Sequence, residues 1–82
     1  MDYEKYQNKL PFATRRANPE KWLAYQLTNA AMKEQFKADL FVELGITDHP
    51  KREALFRLAW HHGHSAGHMA IFLWAQELAE LL

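Results

Sequence analysis

The sequence contains no cysteine, so disulfide bonds and thiolate metal sites are excluded. It also lacks any apolar run approaching the roughly 18 residues that a membrane span requires. The opening residues, Met-Asp-Tyr-Glu-Lys-Tyr, do not resemble a signal peptide. From these absences we expect a cytoplasmic protein that does not enter a membrane.

Net charge is absent as well, because ten acidic residues balance ten basic ones. This balance argues against a dedicated nucleic-acid binder and equally against an acidic mimic of DNA. The charges are nevertheless unevenly placed. Residues 1–21 carry five basic and three acidic side chains, whereas from Leu58 to Leu82 the only formal charges are Glu77 and Glu80. The C-terminal part is therefore an apolar, histidine-bearing segment with an acidic end.

Glycine and proline are scarce, with three of each, and they mark the ends of a first helix. Asn18 is a favourable N-cap, Pro19 fits the first helical position, and Gly45 is the residue type preferred just past a helix. Apolar residues between them recur at three- and four-residue steps, so the sequence predicts a helix over about residues 19–44. Two adjacent apolar stripes imply more than one packing neighbour. These stripes are Trp22, Tyr25, Met32, Phe36, Leu40 and Leu44, and Leu23, Leu27, Ala30 and Phe41.

A second helical pattern covers about residues 50–82. Thr47 or Asp48 is expected to cap it, with Pro50 in its first turn. The short connection makes the two helices antiparallel neighbours. Inside the pattern, Gly63 and Gly67 each cost roughly 1 kcal/mol relative to alanine. The second helix is therefore either continuous or mildly bent, which we favour, or broken at these glycines.

The first 18 residues form an N-terminal arm. Pro11 and Pro19 bracket a stretch from Phe12 to Asn18 that we expect to be extended. The arm either lies across its own helices, which we favour because small domains commonly tie down a terminus, or docks onto another molecule. Residues 1–82 thus form a single all-α domain, a helical hairpin with an arm.

The chain has more apolar material than a hairpin can hide. Hydrophobic residues make up 49% of it and aromatic residues 13%, whereas each helix of a hairpin buries roughly one stripe. Self-association resolves this mismatch, so we predict a homodimer with a four-helix arrangement. A protein partner would resolve it equally, since an interface needs only aromatic anchors and a polar rim.

A set of residues is predicted to bind such a partner. Glycines four residues apart on a helix leave a flat patch on which another helix, either the first helix of the same chain or one of a second copy, can sit closely. Nearby aromatic side chains supply buried area. Two adjacent arginines provide a charged rim, which could alternatively grip nucleic acid. The predicted partner-binding residues are Phe12, Arg15, Arg16, Trp60, Gly63, Gly67 and Trp74.

Four of the five histidines fall between residues 61 and 68. On a continuous helix, His61, His64 and His68 lie within about 60° of one another. Such a stripe could bind zinc or nickel, although we favour a metal-free polar contact surface and expect no cofactor. Ser65 beside these histidines lacks an orienting carboxylate and an oxyanion-stabilising loop, so we do not expect an enzyme.

Three stretches of the chain carry distinctive motifs. They are Tyr3-x-x-Tyr6-x-x-Lys9-Leu10-Pro11-Phe12-x-Thr14-Arg15, Phe36-Lys37-x-Asp39-Leu40-Phe41-x-Glu43-Leu44-Gly45-Ile46-Thr47-Asp48-His49-Pro50-Lys51, and Leu58-Ala59-Trp60-x-His62-Gly63-His64-Ser65-x-Gly67. Together they resemble a group of small proteins encoded by tailed bacteriophages, notably marine ones. The resemblance implies an accessory protein in the host cytoplasm during infection. It would act there as an adaptor or inhibitor of a host or phage protein. Inhibition of a host defence protein is one example of such a role.

Overall fold

The computed structural model describes all 82 residues, and these contain helices but no strands. The all-α prediction is confirmed. A short 3-10 turn at Glu4–Tyr6 precedes four α-helices, which are α1 (Thr14–Ala17), α2 (Pro19–Leu44), α3 (Arg52–Gly63) and α4 (His68–Ala79). The chain divides into two compact units. The N-terminal unit comprises residues 2–36, and the C-terminal unit comprises residues 37–82 together with Met1.

Helix α2 begins where the sequence predicts. The backbone N–H of Lys21 donates to Asn18 Oδ1 at 3.1 Å, so Asn18 is the N-cap and satisfies one of the free N–H groups of the first turn. Pro19 is the first helical residue, a position where its missing N–H costs nothing.

The predicted end of α2 is confirmed as well. Gly45 has a φ of +68°, a conformation that residues with a Cβ rarely adopt. Its N–H donates to the carbonyl of Val42 at 3.1 Å, and the N–H of Ile46 donates to that of Phe41 at 3.0 Å. This pair of bonds is the Schellman arrangement that closes a helix on a left-handed glycine.

The N-terminal arm differs from its predicted form. The expected extended stretch from Phe12 to Asn18 is wrong, because residues Thr14–Ala17 form α1. Backbone bonds from Thr14 N to Pro11 O at 2.9 Å and from Asn18 N to Thr14 O at 2.8 Å close local turns between the two prolines. The prolines therefore delimit a helical turn, whose backbone groups bond locally where an extended strand would have left them unpaired.

The arm packs on the first part of α2, as the favoured alternative predicted. Tyr6 is buried, and its ring meets the fully buried ring of Phe36 edge-on at 4.9 Å between centroids. Further along the arm, Tyr25 of α2 donates its hydroxyl proton to the carbonyl of Asn8 at 2.8 Å. An aromatic anchor and a hydrogen bond thus hold the arm on this face of α2.

The connection between α2 and α3 is capped differently from the prediction. Helix α3 begins at Arg52, and neither Thr47 nor Asp48 lies next to its first turn. Instead, His49 Nδ1 accepts a hydrogen bond from the backbone N–H of Lys51 at 3.0 Å. The Arg52 guanidinium donates to the carbonyl of Thr47. The predicted caps are wrong because the chain first makes a separate turn, which moves the helix start downstream.

The favoured continuous second helix is also wrong. Helix α3 ends at Gly63, and α4 begins at His68. Between them, the N–H groups of Ala66 and Gly67 both donate to the carbonyl of Gly63, at 3.0 and 3.2 Å. Gly67 has a φ of +111°, far outside the helical range and rarely adopted by L residues with side chains. The chain therefore turns within the second predicted helix.

The core of the C-terminal unit lies where α3 meets α4 and the end of α2. Phe41 and Phe56 meet edge-on at 6.2 Å between ring centroids, and Lys37 Nζ lies 3.2 Å from Glu53 Oε2. The predicted hairpin of two long helices is thus replaced by three helical segments around one core. Its buried apolar residues are Leu40, Phe41, Leu55, Phe56, Ala59, Ile71 and Ala75.

Candidate protein-interaction surface

A stacked pair of rings joins α3 to α4 at the surface. His62 lies in the last turn of α3 and Trp74 in the middle of α4. Their ring centroids are 4.7 Å apart, with 26° between the ring planes. Trp74 is 41% exposed, and His62 is exposed too. The two rings therefore form one surface that spans both helices.

Large apolar side chains are also exposed on both helices, outside the stacked pair. Leu58 lies one turn before His62 on α3, because residues four apart share a helix face. Leu58 is 50% exposed, and on α4 Met69 and Leu73 are 58% and 52% exposed. We call the exposed group Leu58, His62, Met69, Leu73 and Trp74 the α3–α4 surface.

No formally charged side chain occurs between Leu58 and Gln76. The α3–α4 surface therefore lies within an uncharged segment, bounded in sequence by Arg57 and Glu77. Most exposed helix faces in small proteins carry Lys, Glu or Arg. Exposed apolar side chains in an uncharged segment are typical of a contact site for another molecule.

Trp60, predicted to anchor a partner, lies on the opposite flank of α3. Residues two apart on a helix point about 200° apart, so Trp60 faces away from Leu58 and His62. It is half-buried, with its ring centroid 5.7 Å from that of Phe56 and 6.1 Å from that of His68. Trp60 therefore contributes to internal packing, whereas Trp74 lies on the exposed surface.

The two glycines have different roles. A Cβ built on Gly63 would lie 2.6 Å from the backbone nitrogen of Ile71, so the missing side chain lets α4 approach α3 closely. A helix of the same chain, α4, therefore covers Gly63, so Gly63 is not part of a surface that is free for a partner. Gly67 has nothing within 4 Å of a built Cβ, and it is required by its positive φ alone.

The break between α3 and α4 separates the histidines that a continuous helix would have aligned. His61 lies on α3, His64 follows its end, and His68 begins α4. His64 Nδ1 lies 2.9 Å from the carbonyl oxygen of Trp60. No group of three or more His, Asp or Glu side chains in the structure is arranged to hold a metal ion. The predicted three-histidine stripe is therefore not assembled.

His68 is the histidine whose environment differs most from water. Partial burial lowers the pKa of His68 below its ordinary value of 6.5, because desolvation disfavours the charged imidazolium. Its ring lies against the indole of Trp60. The position at the start of α4 also places a positive charge unfavourably against the helix dipole. The neutral form of His68 is thus the one that fits the corner between α3 and α4.

The N-terminal unit carries a second, smaller surface. Phe12 is 71% exposed, its ring meets Trp22 edge-on at 5.7 Å between centroids, and the Arg15 guanidinium lies 5.8 Å from the ring centroid. Arg16 follows on the exposed α1. The structure therefore brings together Phe12 and Arg15, and Arg16 follows Arg15 in the chain. We call Phe12, Arg15 and Arg16 the N-terminal surface.

Comparison with protein-family models gives a match over nearly the whole chain. The model of a family of unknown function, DUF8546, matches residues 2–82. The chain belongs to the DUF8546 family. No curated protein and no solved structure is significantly similar to it. Family membership covers nearly the whole chain and carries no activity with it, so the function has to be argued from the surfaces described above.

The DUF8546 chain contains no helix that is both long and apolar enough to cross a membrane. Apolar residues are also exposed outside the α3–α4 surface. Leu23 and Leu27 on α2 are 61% and 64% exposed. They belong to the second apolar stripe that the sequence predicts for α2, and in the N-terminal unit this stripe has no covering element.

Sequence reasoning missed most of the α3–α4 surface of this DUF8546 chain. Leu58, His62, Met69 and Leu73 fall on one face of a continuous helix, and this face resembles a core stripe. Because the chain turns at Gly67, the pattern of α3 no longer sets the direction in which the side chains of α4 point. These residues face solvent in the structure. The absence of charge from either face of the segment was the signal that could have revealed an exposed apolar surface.

Proposed function

We propose that this protein acts by binding another polypeptide through the α3–α4 surface, with no chemistry of its own. One observation carries the proposal. Four large apolar side chains of this surface, Leu58, Met69, Leu73 and Trp74, are between 41% and 58% exposed. They lie in a segment without a single formal charge. Exposed groups of this kind mark interaction sites in small proteins.

The energetics of the exposed side chains support binding. Fully burying a leucine or methionine is worth about 1.5–3 kcal/mol, so covering a half-exposed one contributes about 1 kcal/mol. A tryptophan at the centre of an interface commonly contributes 2 kcal/mol or more. Trp74 is held in place by its stack on His62, and less side-chain entropy is lost when a partner covers it. Trp74 is therefore the proposed anchor.

The resemblance to tailed-phage proteins supports a cellular context for this binding. We propose an accessory protein that acts in the host cytoplasm as an adaptor or inhibitor of a host or phage protein. The N-terminal surface supplies a second contact, with Phe12 as an apolar anchor beside the Arg15 and Arg16 cations. A polar rim around an aromatic anchor is a common composition of protein interfaces.

Site-specific photo-crosslinking in bacteria tests the proposal directly. A benzophenone-bearing amino acid is introduced at Leu73 on the α3–α4 surface, and in a matched control at Leu27 on α2, which is also exposed. We expect irradiation to join position 73, but not position 27, to a polypeptide of defined mass. A Trp74→Ser change in the same chain should remove this product. If position 73 gives no discrete product, or position 27 gives the same one, the α3–α4 surface is not the binding site.

A further inference from the structure

We propose that the N-terminal surface, Phe12, Arg15 and Arg16, binds an acidic segment of a polypeptide in which carboxylates flank an apolar side chain. The inference rests on the proposed function, in which this surface is a second polypeptide contact, and it names the chemistry that the contact selects. All three residues belong to the N-terminal unit, so the inference does not depend on the α3–α4 surface.

The three side chains share one face of a short helical turn. The backbone N–H of Arg15 donates to the carbonyl of Phe12 at 3.0 Å, so the turn that becomes α1 already includes Phe12. Residues three and four positions apart on such a turn are neighbours, so Arg15 and Arg16 both lie beside Phe12. The Arg15 guanidinium is 5.8 Å from the centroid of the Phe12 ring.

The positive charge of this surface is not neutralised within the chain. Neither Arg15 nor Arg16 forms an ion pair, and Glu20, the acidic residue nearest to them in sequence, forms none either. Lys9 and Lys21 are exposed as well, so four cations are present in this stretch and only one carboxylate. Such an excess attracts a negatively charged partner. A guanidinium group can bind a carboxylate through two parallel hydrogen bonds.

Phe12 supplies the apolar part of the surface. It is 71% exposed, whereas the other aromatic rings of the N-terminal unit are buried or half-buried. Its ring meets that of Trp22 edge-on at 5.7 Å between centroids, and the ring of Trp22 lies 5.2 Å from that of Tyr25. Because these contacts hold Phe12 in place before a partner binds, less side-chain entropy is lost on binding.

The composition of the surface favours a peptide over a nucleic acid. Proteins that bind single strands combine stacking rings for successive bases with a basic groove that follows the backbone. This surface has one exposed ring and two guanidinium groups within a single helical turn. The chain also has no net positive charge, whereas nucleic-acid interfaces are strongly positive. Carboxylates on both sides of an apolar side chain match one ring with cations beside it.

Fluorescence anisotropy of a labelled synthetic peptide, Glu-Glu-Phe-Glu-Glu, tests the inference with the full-length chain. We expect saturable binding with a Kd below about 1 mM, weakened when ionic strength increases from about 0.05 to 0.5 M. The Kd should rise about threefold to fivefold in Arg15→Gln and in Arg16→Gln, and about fivefold to tenfold in Phe12→Ser. The matched control Arg57→Gln removes the same charge from an exposed position of α3 and should bind like the wild type.

Two further probes separate charge from other causes of binding. The uncharged peptide Gln-Gln-Phe-Gln-Gln should not bind, because it offers nothing to the guanidinium groups. A labelled single-stranded thymidine oligonucleotide should bind more weakly than the acidic peptide. Circular dichroism establishes that each variant keeps its helical content. If Phe12→Ser loses helical content, the two arginine variants decide the question, because both side chains are exposed.

Several results would overturn the inference. They are the absence of acidic-peptide binding below about 1 mM, equal binding of the uncharged peptide, tighter binding of the oligonucleotide, and equal effects of Arg57→Gln and Arg15→Gln. A Leu73 crosslink in cells together with any of these results would leave binding through the α3–α4 surface standing. Peptide binding as predicted, without a Leu73 crosslink, would remove the α3–α4 site and leave the N-terminal surface as the contact.

Discussion

Alanine at Gly63 is expected to destabilise the fold, although alanine is the better helix former. A Cβ at this position would lie 2.6 Å from the backbone nitrogen of Ile71, and 2.8 Å from both the Ile71 Cα and the carbonyl carbon of Ala70. All three atoms belong to the backbone of α4, so no side-chain rotation relieves the overlap. Helix α4 must move away from α3 as a whole.

The expected magnitude follows from two opposing effects. Replacing glycine by alanine inside a helix contributes about 1 kcal/mol of stability. Inserting a methyl group into a tightly packed site costs about 1–3 kcal/mol and occasionally more. An ordinary carbon–carbon contact is about 3.5–4.0 Å, so α4 has to shift by roughly 1 Å. That shift opens the fully buried packing of Ala59 and Ala75. Because the overlap is with backbone that no rotation can relieve, the packing cost should lie in the upper part of its range, about 2–3 kcal/mol. We therefore expect a net loss of about 1–2 kcal/mol after the helix-propensity gain.

Urea denaturation followed by tryptophan fluorescence measures this change. Gly67→Ala is the matched control, since it adds the same methyl group where nothing lies within 4 Å and strains only the backbone at a φ of +111°. Its cost is about 1–3 kcal/mol from the unfavourable conformation. If crowding against α4 is the cause, Gly63→Ser should be no more stable than Gly63→Ala, because it adds a larger side chain at the same place. A Gly63→Ala protein as stable as the wild type, or more stable, would refute the close approach of α4 to α3.

Three further changes test other parts of the structure. Phe36→Ala removes a fully buried ring and should lower the free energy of unfolding by about 3–5 kcal/mol in urea; a loss below about 1 kcal/mol would contradict its place in the core. Asn18→Ala removes the acceptor for the Lys21 N–H and should cost about 1 kcal/mol, whereas Asn18→Asp, which keeps an acceptor, should cost less. Because the folded pKa of His68 is lowered, the unfolded state binds the proton more tightly, and stability should fall as pH decreases below 6.5. In His68→Gln this part of the pH dependence of the free energy of unfolding should be missing. If the variant shows the same pH dependence as the wild type, burial against Trp60 does not lower the pKa of His68.

The first helix could be predicted from the sequence because its boundaries depend on local interactions. An asparagine followed by proline caps its start, and Gly45 closes its end through bonds to residues within the last turn. Such signals act between neighbours in sequence and need no knowledge of the rest of the fold. The packing of the arm on α2 could be predicted for a different reason, because small domains tend to cover their own apolar stripes with a chain terminus.

The turn at residues 64–67 could not be predicted with the same certainty. Glycine inside a helical pattern is compatible with a bent helix, a break or a flat contact patch. The choice depends on the contact between Gly63 and Ile71, which forms only after the chain has turned. Because Met69 and Leu73 lie beyond the turn, their exposure followed from that unpredicted choice.

The candidate site was predicted in part. Trp74 and Phe12 were expected on an exposed surface and lie there. Trp60 was expected there as well, but it packs against Phe56 and His68. Whether a tryptophan of α3 is exposed depends on which flank of the helix packs against α2, and the sequence does not specify that flank. The stack of His62 on Trp74 arises only when α4 folds back alongside α3, so the sequence did not reveal it.

Hydroxyl-radical footprinting tests most directly whether a polypeptide covers the α3–α4 surface. Met69 and Trp74 report on this surface, and Leu27, which is 64% exposed on α2, serves as the internal reference in the other unit. We predict that Met69 and Trp74 react less, relative to Leu27, in infected bacterial cells that express the chain than in the dilute purified chain. Reactivity that is the same under both conditions and follows the exposure of the single chain would contradict the account.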